Sequence, residues 1–344
     1  MAHAGGGGRD LTRAFGVVAG RVALRDGDEV VFPDTDDADL RAALAAPELN
    51  PLIELGRDAW RAALECDGSR VLLSACEPSL PVRIGDYVDF YASEDHATNF
   101  ARIFRPGQPA LHENWRRIPV GYHGRTSSIV VSGTPVRRPS GVLGPDSAGP
   151  TRALDLECEL GFVCAPPDEI FGVVIVNDWS ARDIQRFEYV PLGPFLGKSF
   201  ATSISAWVVP WEALERARVG ARPQEPEPAP HLRSARGQAL DVDLEIELNG
   251  EVISRPNAQG LYWTPTQMVA HLTSGGVSLR AGDLFASGTI SGSTPGTEGS
   301  LAEIARGERW LEDGDEVVLR GRAGQVELGE VRGRVLPAQR PDDE

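Results

Sequence analysis

Four carboxylates stand at the edges of apolar stretches: Asp89 in GDYVDFYASEDHATN, Glu157 and Glu159 in LDLECELGFV, and Asp178 at the close of FGVVIVND. The second segment alternates in character, which predicts a strand, and a spacing of two places Glu157 and Glu159 on one face. Two like charges side by side are costly unless water or a cation compensates them. Taken alone, the pair fits a solvated acidic face as well as it fits a metal site. Asp89 and Asp178 tip the reading toward a metal, and four hard oxygen ligands without a Cys or His partner at zinc spacing favour Ca²⁺ or Mg²⁺. Carboxylate oxygen suits either ion.

His96 follows Asp89 in the same segment, and a general base must stand within hydrogen-bond reach of a water near the electrophile. His3, His112, His123, His231 and His271 are the alternatives, with His123 in GYHGR the nearest rival. Segment 89–105 supplies a ligand, a base and Arg105 together. Farther along, Arg182, Gln185 and Tyr189 recur at three and four residues, so a helical turn there lines a pocket with donors or forms a solvated face. Lys198 is the only lysine in the chain. Where Arg serves everywhere else, a retained Lys points to a place that needs a compact ammonium.

These side chains need a scaffold, and the sequence predicts a mainly β one. Ala14 to Phe32 reads as a hairpin about Asp26-Gly27, and Asp37 to Leu64 has apolar residues at helical spacing. This predicts a small N-terminal domain over 1–81, with 1–9 disordered, followed by a larger domain over 82–344. From Gly85 onward short β-branched runs alternate with Gly and Pro, as in 127–133, 206–210, 242–248 before Asn249-Gly250, and 315–319 after Asp313-Gly314. DGDEVV occurs at Asp26 and again at Asp313, and without matching flanks it is hairpin vocabulary more than a duplicated domain. Residues 220–237, containing PQEPEPAP, read as an exposed Pro-rich loop.

With 344 residues, 41% of them hydrophobic, the chain is long enough for a large core and an accessory unit. The balance of 34 Lys and Arg against 50 Asp and Glu, a formal charge of -16, argues against nucleic acid or an anionic membrane as partner. Four cysteines without a CxxC pair fit a reducing cytoplasm, and neither a signal peptide nor a membrane span is expected.

The blocks DFYASEDHATN (89–99), IPVGYHGRTSSIVVSGTPVRRPSG (118–141), LDLECELGFV (154–163), NDWSARDIQRFEYVPLGPFLGKSFATSISAWVVP (177–210) and FASGTISG (285–292) resemble the fumarylacetoacetate hydrolase family, over about Phe15 to Leu336. The resemblance implies an SH3-like β-barrel before a large mixed β-sandwich or β-roll, assembled as a homodimer. It implies metal-dependent hydrolysis of a carbon–carbon bond in a small acidic diketone, fumarylacetoacetate, giving fumarate and acetoacetate at the end of tyrosine degradation. Asp89, Glu157, Glu159 and Asp178 would bind the metal, with Lys198 and Thr202 contributing to a Mg²⁺ position. His96 would be the proton acceptor, oriented by Glu303. Tyr91, Arg105, Gln185, Tyr189 and Thr289 would contact substrate, and Arg182, Gln185 and Lys198 would stabilise negative charge.

Glu94 and Asp95 depart from the basic or polar residues of the animal enzymes, Cys158 replaces an apolar residue, and 220–237 differs; the first two bear on substrate entry. An acylpyruvase or a decarboxylase/isomerase would share the carboxylate site. A silent binding protein would lack His96 or Glu303, and both are present.

Overall fold

A computed structural model describes residues 13–235 and 237–339; the disordered segment expected over 1–9 lies outside the described residues. The first hairpin forms as the sequence predicts. Arg21–Asp26 pairs antiparallel with Ala14–Val18 and with Glu29–Pro33, and Gly27 supplies the positive φ of 64° that the tight turn needs. Gly68–Leu72 and Pro78–Ser79 extend this to a five-stranded antiparallel sheet. The helical spacing of 37–64 becomes three short helices, Ala38–Leu44, Asn50–Glu54 and Arg57–Glu65. The first is capped by the Asp37 side chain, which accepts from the amide of Leu40 at 2.9 Å.

The N-terminal sheet shares a core with the rest of the chain. Phe15 packs on Phe171 with centroids 5.2 Å apart, and Trp60 meets the same ring edge-on at 4.9 Å. One apolar cluster therefore joins Val17, Val22 and Leu24 to Val163, Val174 and Val176 of the larger sheet.

That larger sheet has eight strands. Its path runs Gly121–His123, Tyr87–Phe90, Leu284–Ala286, Cys158–Ala165, Glu169–Asn177, Thr202–Ile204 and Ile129–Val131, with Val209–Pro210 pairing to one side. A five-stranded sheet, built on Asp243–Leu248, Glu316–Ala323 and Val326–Leu336, packs against it. The two sheets approach closely at Gly321, where an added Cβ would lie 3.1 Å from the Ile175 side chain. Asn249 and Gly250 both take positive φ and close the predicted hairpin.

Three expectations are modified. LDLECELGFV is not one strand: Leu154–Asp155 pairs with Ser180–Ala181, and a new strand starts at Cys158. The break follows from Asp155, whose Oδ1 accepts from the amides of Leu156 at 2.9 Å and Ala302 at 3.0 Å and bends the chain there. Segment 127–133 starts as a 3₁₀ turn, Thr126–Ser128, before the strand Ile129–Val131. The Pro-rich loop contains a short helix, Pro230–Ser234, anchored by buried Leu232. No helix among the described residues is long and apolar enough to cross a membrane.

Candidate active site and metal centre

The carboxylates gather because of strand register. Strand Cys158–Ala165 pairs with Glu169–Asn177 so that Cys158 faces Asn177, and the next residues outward, Glu157 and Asp178, lie opposite each other. The amide of Asp178 donates to the carbonyl of Glu157 at 3.2 Å. On one side, Leu284–Ala286 links this hairpin to Tyr87–Phe90 and sets Ala286 beside Asp89. On the other, Thr202–Ile204 sets Ser203 beside Asn177.

Asp89, Glu159 and Asp178 each offer an oxygen within 4.8 Å of the others, and all three are buried. Both Glu159 oxygens and Oδ1 of Asp89 find no hydrogen-bond partner among the described residues. Buried carboxylate oxygens left bare are costly, and hard oxygen donors with this arrangement fit a divalent cation of the Ca²⁺ or Mg²⁺ type. Burial pushes Asp89 up to about 7, with Asp178 as the next cause. Burial and then Asp89 push Glu159 well above the usual carboxylate range.

Glu157 borders this group but is drawn toward cations. Its Oε1 accepts from Arg182 Nη2 at 2.7 Å and its Oε2 from the ammonium of Lys198. Burial pushes Glu157 up, yet Arg182 and then Lys198 outweigh it and hold the carboxyl well below its ordinary value. Lys198 also contacts Asp178. Burial alone would lower the lysine, but Asp178 and Glu157 raise it, so the ammonium stays charged. Thr202 donates to Asp178 Oδ1 at 2.9 Å. The backbone before Lys198 is pressed against the helix Arg182–Glu188: a Cβ on Gly197 would lie 2.8 Å from the amide nitrogen of Gln185, so only glycine permits this approach.

His96 sits in the first turn of helix Glu94–Phe104, which is capped by Ser93. Its Nδ1 lies 2.7 Å from Glu303 Oε2. Glu303 also accepts from Ser291 at 2.9 Å, Ser300 at 2.8 Å and Asn99 at 3.1 Å. Burial raises Glu303, and the hydrogen bonds from His96, Ser300 and Asn99 outweigh that and lower it. An ionised carboxylate only accepts, so Nδ1 carries the hydrogen. In the neutral ring Nε2 is then a free base, directed toward Glu157 Oε1 at 3.6 Å.

Most of the other expected residues border this centre. Arg182 is buried, bridges Asp155 and Glu157, and donates to Gln185 Oε1 at 3.2 Å. Tyr91 meets the His96 ring edge-on at 5.4 Å. Thr289 is buried with its hydroxyl unpartnered among the described residues. It follows Gly288, where a φ of 74° and the 2.2 Å that would separate an added Cβ from the Phe90 carbonyl oxygen exclude a side chain. Tyr189 is 48% exposed and opens a loop over 189–197. Arg105 bonds instead to His112 at 3.1 Å and to the Ala110 carbonyl at 3.3 Å. The rival His123 is exposed and paired with Asp86 at 2.8 Å.

Glu94 and Asp95 occupy the acidic first turn of their helix, where the dipole favours them, and are tied to Arg116 and Arg222. Arg222 brings the 220–237 segment against that turn.

Sequence reasoning missed two residues. Asp155 is buried against Arg182 Nε at 2.8 Å, and its place two residues before Glu157 was the available signal. Arg125 donates to Asp89 Oδ2 at 2.8 Å and Asp178 Oδ2 at 3.0 Å. It shares the GYHGR block that drew attention to His123.

Residues 87–336 match the fumarylacetoacetate hydrolase C-terminal family, and the chain belongs to that family. It is 46% identical over 302 residues to the fumarylacetoacetase of Mus musculus, covering 76% of this chain and 72% of that one. To the fumarylacetoacetase of Homo sapiens it is 40% identical over 354 residues, covering 86% and 84%. A solved structure of the fumarylacetoacetate hydrolase from Exiguobacterium antarcticum superposes with a TM-score of 0.63 at 19% identity, covering 95% of this chain and 99% of that one, a likeness of fold.

Proposed function

We propose that this chain hydrolyses fumarylacetoacetate to fumarate and acetoacetate, the closing step of tyrosine degradation. The fumarylacetoacetases it resembles across most of its length support the substrate. The observation that carries the chemistry is the Glu303–His96 pair, 2.7 Å long, opening onto the carboxylate centre.

Asp89, Glu157, Glu159 and Asp178 would hold a Ca²⁺ or Mg²⁺ ion, with Lys198 and Thr202 beside it. When bound, the ion supplies counter-charge and Lewis-acid polarisation of the diketone. His96 Nε2 takes a proton from water while Glu303 keeps the ring oriented, and the water oxygen bonds to the carbonyl carbon. The carbon–carbon bond then breaks, and its electron pair leaves on the methylene carbon, delocalised onto the neighbouring carbonyl oxygen. Lys198, Arg182 and Gln185 stabilise that anion, and the proton held by His96 passes to the methylene carbon, which becomes the methyl group of acetoacetate. Tyr91, Tyr189 and Thr289 would contact the substrate, and Arg105 would do so by exchanging its His112 and Ala110 partners for it.

The reading extends to a homodimer in the cytoplasm, with residues 1–81 as an SH3-like accessory unit and 82–344 as the catalytic one. Four free thiols support the reducing compartment. The test is incubation of the purified protein with fumarylacetoacetate and with acetylpyruvate, each with Ca²⁺, Mg²⁺ or a chelator. Faster turnover of acetylpyruvate would replace the substrate assignment, and full activity after exhaustive chelation would remove the metal.

A further inference from the structure

Arg125 stands out among the charged groups that the reaction does not use. The chain reaches it through Gly124 at φ 122° and Arg125 itself at φ 59°, a left-handed step that a non-glycine residue adopts at a cost and keeps only where its surroundings enforce it. The guanidinium is buried between two tyrosines, 4.8 Å from the Tyr87 ring centroid and 4.6 Å from that of Tyr122. From that slot one nitrogen, Nη2, reaches Oδ2 of Asp89 at 2.8 Å and Oδ2 of Asp178 at 3.0 Å. The Tyr122 hydroxyl donates to the same Asp89 oxygen at 2.9 Å.

The pattern of occupied and free oxygens is what gives this arrangement meaning. Asp89 has one oxygen with two donors and the other, Oδ1, with none among the described residues; Asp178 has donors on both. A carboxylate held by one oxygen turns the other in a fixed direction, as outer-sphere partners do for ligands of a metal. We infer that Arg125 is a positioning residue for the cation site: stacked between Tyr87 and Tyr122, it grips Asp89 and Asp178 by their Oδ2 atoms and fixes the ligand set before an ion arrives. This role rests on the metal reading of the carboxylate centre.

The sign of the effect separates an orienting group from a mere charge. A bare positive charge beside a cation site weakens binding by repulsion, so removing it should tighten the site. An orienting group does the opposite. Lysine keeps the charge but cannot stack as a plane between two rings.

The test is calorimetric titration of ion-stripped protein with Ca²⁺, and separately with Mg²⁺, for wild type, Arg125→Gln and Arg125→Lys, with melting of each ion-free variant recorded alongside. Both substitutions should weaken affinity by about 10- to 100-fold, the usual effect of losing an outer-sphere partner. Unchanged or tighter binding by either variant would overturn the inference. Should Arg125→Gln fail to fold, Arg125→Lys alone decides, since it preserves the charge. If wild type itself takes up neither ion, the metal reading fails and this inference with it; if wild type binds and Arg125→Lys binds equally well, only the role of Arg125 is lost.

Discussion

His96 Nδ1 lies 2.7 Å from Glu303 Oε2, although 207 residues separate the two in sequence. Three further donors converge on the same carboxylate, from Asn99, Ser291 and Ser300, so its place is fixed independently of the imidazole. A base held this way has one ring nitrogen committed and the other available, which is the tautomer that proton abstraction requires.

His96→Ala should therefore lower kcat by about 10²- to 10⁴-fold, the usual worth of a placed general base. His123→Ala should leave kcat and melting close to wild type, because that ring is exposed and pairs with Asp86, away from the carboxylate centre. Steady-state rates on the two variants check the pair. Equal losses, or the larger loss at His123, would mean that the base is misassigned.

Lys198→Arg tests the value of a compact charge. The side chain is buried, with its ammonium shared between Glu157 and Asp178 and its backbone pinned by the close approach at Gly197. A larger planar head must displace one of those carboxylates or the substrate. Turnover should fall by about 10²- to 10³-fold, as on removing a preorganised donor, and overpacking should lower the melting temperature by a few degrees. Wild-type turnover in this variant would refute the role and the argument from its being the sole lysine.

The raised carboxylates set a pH dependence. Burial and like charge push Asp89 from 3.8 up to about 7 and move Glu159 the same way, so both hold protons more tightly folded than unfolded. For Asp89 the stability this contributes is complete below its unfolded value and is lost as pH rises through about 7, and Glu159 acts in the same direction. Ion-free protein should then melt at lower temperature at about pH 8 than at about pH 5. A divalent ion binds the deprotonated carboxylates, so its stabilising effect should grow over the same interval. Melting curves with chelator and with Ca²⁺ across that range measure both trends, and a metal shift that shrinks with rising pH would contradict them.

Local pattern made much of this legible in sequence. The hairpin about Asp26-Gly27, the turn at Asn249-Gly250 and the helical spacing of 37–64 depend on neighbours in the chain, and all three took the expected form. The carboxylates were recognisable because a charge at the end of an apolar run is unusual wherever it occurs. What could not be read was anything fixed by contact across the fold. Asp155 bends LDLECELGFV through an amide 147 residues away, at Ala302. Arg125 reaches two carboxylates 36 and 53 residues distant, and nothing in GYHGR distinguishes its side chain from the exposed His123 two positions earlier. Glu303 was placed by resemblance; spacing alone offered no link to His96.

Addition of water across one carbon–carbon bond of fumarylacetoacetate is the chemistry to which every role assigned at this centre leads. The direct measurement is product stoichiometry: metal-loaded wild-type protein and His96→Ala are each given fumarylacetoacetate, and fumarate and acetoacetate are quantified against substrate consumed. The wild type should yield both products in equal amounts, one of each per substrate lost, at a rate His96→Ala does not approach. Consumption without fumarate, or equal rates in the two proteins, would contradict the account.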